Sequence, residues 1–162
     1  MSVALLLLAL AAAPAPIAET EVRAYVARQE QLWNAGDVAG YYAAFTPDAR
    51  FTDQAFQGDK APAPYGTSTL ADARAQTRRA LATSKAAEAG QVLRVSIRPD
   101  GQGATVRLRV ISTLEKDGKV RRLCAVRVQT LVRQGLPAGR GALRSTGQTD
   151  TYYRCALRFP PG

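Results

Sequence analysis

From residue 91 to residue 158 apolar and polar side chains alternate, and a period of two commits this half of the chain to extended structure. Four runs carry the pattern, 91–98, 103–115, 119–133 and 143–158, separated by PDGQ, by KDG and by a Gly/Pro-rich loop. Apolar residues stand at Leu93, Val95 and Ile97 in the first run and at Val106, Leu108 and Val110 in the second. In the third they are Cys124, Val126, Val128 and Val132. Directly opposed residues share a face, so these positions restrict the register. A loop over 99–102 opposes Arg98 with Gly103 and Val95 with Val106. At Asp117-Gly118 a two-residue turn would set Arg127 against the face of Val110. A three-residue loop over 116–118 instead opposes Val110 with Cys124, Val106 with Val128 and Glu115 with Lys119, and it is the expected one. The arginines at 94, 98, 107, 109, 127, 133, 144, 154 and 158 then fall on the face opposite the valines.

The two cysteines fit this arrangement. A hairpin pairing Cys124 with Cys155 turns between residues 139 and 140, inside the PAGRG segment where the chain must reverse. Directly opposed residues lie ~4.5 Å apart at Cα in a non-hydrogen-bonded pair, just within disulfide reach. A disulfide is expected there. The glycines of 135–141 precede a strand, not a helix, so the segment reads as a hairpin tip and not as a phosphate loop.

The first half has a helical period. Val22, Tyr25, Val26, Gln29, Leu32 and Trp33 place a helix at 20–34, with Gly36 just past its end. Asp37 caps a second helix carrying Val38, Tyr41, Tyr42 and Phe45, which Pro47 stops. Residues 49–55 alternate as a short strand, and an irregular stretch follows through Gly58, Pro62, Pro64 and Gly66. A third helix starts near Thr69, with Asp72 at capping-box spacing, and runs to Gly90. Ahead of all this, the apolar run at 3–10 followed by AAAPAPIA reads as a secretory signal over 1–18, cut between Ala11 and Ala18. Residues 19–162 then form one exported domain.

The segment Leu32-Trp33-Asn34-Ala35-Gly36-Asp37, the aromatic helix after it, and Phe45-Thr46-Pro47-Asp48-Ala49 resemble the N-terminal signature of the nuclear transport factor 2-like superfamily, including its SnoaL-like members. The resemblance spans about residues 19–158. It implies an α+β fold in which three helices pack in a curved, mainly antiparallel sheet, a cystatin-like cone with an apolar pocket. It also implies dimerisation through the sheet. In the ketosteroid isomerases of that superfamily a catalytic Asp follows the same motif, at the position of Asp53 here; their helix-1 tyrosine position falls on Gln29, one turn after Tyr25.

Alternation on 49–55 independently aims Asp53 inward with Ala49 and Phe51, where desolvation would raise its pKa and suit it as a base. Tyr25, Trp33, Tyr41, Phe45 and Phe51 either wall a ligand pocket or fill the core. Gln29, which interrupts the apolar stripe of the first helix, lines a cavity or satisfies a buried carbonyl. Several classes are excluded. The chain has no histidine and two cysteines, which removes Ser-His and Cys-His nucleophiles, His-containing metal sites and any zinc site built from four cysteines. No cofactor is implied. The net charge of +9 is lopsided: residues 1–89 carry 8 basic and 9 acidic side chains, and residues 90–162 carry 14 and 4. Three functions fit: a domain binding a small apolar ligand, an isomerase or lyase with Asp53 as base, or a polyanion-binding surface. Few aromatics accompany the arginines, which argues against specific nucleic-acid recognition.

Overall fold

A computed structural model describes residues 15–134 and 141–156. Two helices, α1 (Glu19–Asn34) and α2 (Val38–Ala43), precede β1 (Phe45–Gln57) and β2 (Lys60–Thr69). Helix α3 (Leu70–Leu81) leads into β3 (Lys85–Ile97), β4 (Gly103–Lys116), β5 (Lys119–Gln134) and β6 (Ala142–Tyr153). The six strands form one sheet in the order β2-β1-β6-β5-β4-β3, antiparallel except where β1 runs parallel to β6. The fold is the α+β cone expected from the sequence.

Local chemistry explains most element ends. Asp37 accepts the Gly40 N–H at 2.8 Å to cap α2. Thr69 accepts the Asp72 N–H at 3.2 Å and donates its hydroxyl to the Asp72 carboxylate at 2.6 Å, capping α3. Inside the cone, α1 sends Val22, Tyr25 and Val26 against Val106, Leu108 and Val110 of β4 and Leu131 of β5. A second cluster joins Tyr41, Tyr42, Phe45, Ala49 and Ala73.

Four expectations are corrected. Phe45 begins β1 and does not belong to α2, so Pro47 lies within a strand; β1 spans 45–57, not 49–55. The stretch read as irregular is β2, an edge strand that tolerates Pro62 and Pro64 because an outer edge has no ladder to complete on that side. The third helix stops at Leu81, and residues 85–90 belong to β3. Alanines there favour a helix locally, but tertiary partners override that preference. Asn34 at the end of α1 donates to the Glu88 carbonyl at 2.9 Å and accepts the Glu88 N–H at 2.7 Å, while Glu30 accepts the Gly90 N–H at 2.9 Å. These side chains bond the free-side backbone groups of Glu88 and Gly90 in β3.

The fourth correction is the β4–β5 hairpin. Lys116 pairs with Lys119 across a two-residue turn whose residues, Asp117 (φ 52°) and Gly118 (φ 70°), both take the left-handed conformation that a type I′ turn requires. Val110 therefore opposes Ala125, Leu108 opposes Arg127 and Val106 opposes Gln129. Arg127 points into the cone, not away from the valines. Val95 does oppose Val106, as expected, but a register shift between Val92 and Arg94 leaves Leu93 out of the apolar row and 42% exposed.

The arginine stripe shrinks accordingly. Arg133 also turns inward to Glu21, and Arg144 folds onto the Ala43 carbonyl. Arg154 follows the end of β6, and Arg158 lies outside the described residues, as do the hairpin tip at 135–140 and the apolar segment at 3–10. Cys124 and Cys155 are disulfide-bonded with Cα atoms 5.2 Å apart. They are not directly opposed: Cys124 pairs with Tyr153, a register two residues from the expected one, and Cys155 lies beyond the strand end. The even offset keeps the side chains of 124–130 on their face, and a bulge between Thr130 and Leu131 changes the parity beyond it, setting Arg144 opposite Val132.

The bridge closes a 31-residue separation, so its removal should cost about 2–4 kcal/mol in the chain-entropy account. Cys155 is exposed, so Cys155→Ser removes the bridge without opening a core cavity. Urea unfolding of this variant without reductant should show that loss. Stability equal to the parent, or two free thiols in the denatured parent, would mean the bond does not form in solution.

Candidate functional site

Strand register brings four charged residues together. Asp53 of β1 neighbours Asp150 of β6, and Asp150 is paired with Arg127 of β5, so three side chains stand in a row on the inner face. Glu88 reaches the same guanidinium from β3, passing Ser112 of β4, its cross-strand partner. Arg127 donates Nε to Asp150 Oδ1 at 2.8 Å and Nη2 to Asp150 Oδ2 at 3.0 Å. It donates Nη1 and Nη2 to the two Glu88 oxygens at 2.5 and 3.0 Å. All three side chains are nearly buried, at 12%, 8% and 7% exposure for Arg127, Glu88 and Asp150.

A polar chain extends from this centre. Gln148 donates to Asp150 at 3.0 Å, and the Gln148 carbonyl oxygen accepts from Gln129 at 3.0 Å and from the Tyr41 hydroxyl at 3.2 Å. Ser112 donates to Glu88 at 3.3 Å. Burial works against the charge on Arg127, but Asp150 and Glu88 outweigh it and hold the guanidinium protonated, well above its ordinary pKa.

Beside this ionic floor lies a partly open cavity of about 230 Å³. Trp33, Tyr41, Tyr42 and Phe51 make its apolar wall, and Asp53 and Tyr152 stand with the floor residues around it. The Trp33 and Tyr41 rings meet edge to face with centroids 5.1 Å apart. The buried Trp33 Nε1 has no acceptor among the described residues. Asp53 is exposed at the mouth. Partial desolvation and then the neighbouring Asp150 charge raise its pKa above the ordinary carboxylate value, against the Tyr152 hydroxyl and Arg127, which lower it. Burial first, then Asp150 and Asp53, push the Tyr152 hydroxyl far up, so it stays protonated and donates to Asp53. The arrangement can enclose an apolar body and accept hydrogen bonds at Asp53.

Of the residues singled out in the sequence, Trp33, Tyr41 and Phe51 line this cavity and Asp53 stands at its mouth. Phe45 lies behind the wall, 1% exposed and packed on Phe51 with centroids 4.8 Å apart. Tyr25 and Gln29 lie elsewhere, along a groove between α1, α2 and the start of β6. The Tyr25 hydroxyl donates to the Ala44 carbonyl at 3.1 Å. Sequence reasoning missed Glu88, Asp150 and Tyr152. A signal existed: Arg127 and Asp150 have opposite charge and fall on one face of the β5–β6 hairpin in the register that forms, which the two-residue displacement of the cysteine pairing preserves.

No family model matches the sequence, and no curated protein matches it. Solved structures do match. One is the beta subunit of a putative aromatic-ring-hydroxylating dioxygenase from Novosphingobium aromaticivorans, 14% identical, with a TM-score of 0.66 over 88% of this chain and 92% of that one. Another is a ketosteroid isomerase-like protein from Erwinia carotovora atroseptica, 13% identical, TM-score 0.62, covering 83% and 95%. A third is a Catenulispora acidiphila protein in complex with S-DNPA, 15% identical, TM-score 0.58, covering 82% and 91%. At these identities the likeness is one of fold, and the fold is the nuclear transport factor 2-like cone.

Breaking the ionic centre has a defined cost. Arg127→Met leaves two buried carboxylates unpaired and should destabilise the chain by about 3–5 kcal/mol at pH 7. Urea unfolding of the variant and the parent at pH 7 reads the loss. A deficit below about 1 kcal/mol would contradict the assignment.

Proposed function

We propose that this chain is an exported binding domain that holds a small molecule with an apolar body in the cavity between Trp33, Tyr41 and Phe51. The observation that carries this is the cavity itself, which joins an aromatic wall to a fixed, hydrogen-bonded polar floor. Apolar pockets with a few placed polar groups are the usual form of small-molecule sites. The S-DNPA complex of the similar Catenulispora acidiphila protein supports the use of this fold as a small-molecule container. Trp33 is the chain's one tryptophan, so it reports on its own site. Adding aromatic and alicyclic compounds that bind should change its fluorescence and raise Tm, and Phe51→Ala should weaken binding about tenfold. A broad panel that moves neither signal would defeat the reading.

Export rests on the apolar segment at 3–10 and on the disulfide, a bond that persists in oxidising compartments. Ile17 is 3% exposed, its N–H donates to the Gly101 carbonyl at 2.7 Å, and Pro16 lies against Gly101. That burial favours processing upstream of Pro16, within residues 11–15, over cleavage after Ala18. N-terminal sequencing of protein recovered outside the cytoplasm should begin between residues 12 and 16; protein retained in the cytoplasm with residues 1–18 intact would overturn export.

A further inference from the structure

The mouth of the cavity holds a feature that a purely apolar ligand does not use. Strand β2 has a register shift opposite Asp53 and Gln54: Gly66 pairs with Asp53 and Pro64 with Gln54, which leaves Tyr65 without a partner in the ladder. Such bulges re-aim a side chain. Here the Tyr65 ring, 64% exposed, faces the Tyr152 ring with centroids 6.4 Å apart. Gly66 leaves the ground beside the carboxylate open, for a Cβ there would still stand 3.7 Å from Asp53 Oδ2. Two tyrosine rings therefore flank one accessible carboxylate.

The charge count points the same way. Asp53, Glu88 and Asp150 face a single guanidinium, and four of its five N–H groups are already committed to Glu88 and Asp150. A carboxylate or phosphate on a ligand would meet excess negative charge and almost no free donor. A cation would meet an acceptor with lone pairs to spare, beside the Tyr152 hydroxyl that bonds it and the neighbouring Tyr65 ring. We propose that Asp53, Tyr65 and Tyr152 receive the ammonium group of a small organic amine whose apolar body lies in the cavity. This rests on the cavity being the binding site and specifies the charge class of its ligand.

Three probes of one skeleton test it: 2-phenylethylamine, 2-phenylethanol and phenylacetate, titrated calorimetrically into the intact chain at pH 7. The amine should bind about tenfold tighter than the alcohol, and phenylacetate should bind weakest. Asp53→Asn should abolish the preference for the amine over the alcohol, and Tyr65→Ala, at an exposed position, should weaken the amine about threefold. An alcohol that binds as well as the amine, or a preference that survives Asp53→Asn, overturns the inference. If uncharged panel compounds still bind in that case, the cavity reading stands. If neither the panel nor any of the three probes binds, both fall.

Discussion

A guanidinium inside a cone of valines is tolerated only because two carboxylates meet it there. Arg127 is fixed at both edges of its planar fork, by Asp150 from the neighbouring strand and by Glu88 from two strands away. Their mutual attraction offsets the desolvation of three charges, and Gln148 and Ser112 occupy carboxylate lone pairs that Arg127 does not. This network ties β3, β5 and β6 together across the inner face, and it sets the register of the β4–β5 hairpin: Arg127 must face inward for the pairing with Leu108 to exist. The floor of the cavity is the same set of atoms. The interaction that closes the sheet is also the one that gives the cavity its polarity.

The architecture is legible in the sequence where the physics is local. Alternation locates five of the six strands, helical spacing locates α1 and α2, and the Thr69 cap locates the start of α3. Where tertiary partners decide, local reading fails. Residues 85–90 are helix-prone by composition, yet Asn34 and Glu30 of α1 hold them extended. Pro62 and Pro64 suggest irregular structure, although an edge strand accommodates them. A three-residue loop keeps a charge away from valines, a sound rule for an unpaired arginine and the wrong one for Arg127. The same assumption hides Asp150 and Glu88, because neither is expected inside without the partner that it meets there. Asp53 is legible because the neighbouring alternation and the motif resemblance both indicate it.

The charge of the chain is divided in space as well as along the sequence. Arg94, Arg107 and Arg109 lie on the outer side of the sheet, in register with one another across β3 and β4 or two residues apart on β4. The inner side holds more carboxylates than cations. A strongly basic chain therefore encloses an acidic cavity, and its net charge describes the exterior alone. The wall and mouth add five aromatic rings within reach of that acidic floor.

The two strands at the ends of the sheet have a consequence for how the chain behaves in company. An outermost strand with free N–H and C=O groups is a template on which another chain can add a strand. Here β2 lacks donors at Pro62 and Pro64, and the bulge at Tyr65 disturbs its straight run. At the opposite end, Asn34 and Glu30 already occupy the groups that Glu88 and Gly90 of β3 would offer to a newcomer. Both borders are thus poor starting points for strand addition, which protects a valine-rich sheet from aggregating edge to edge.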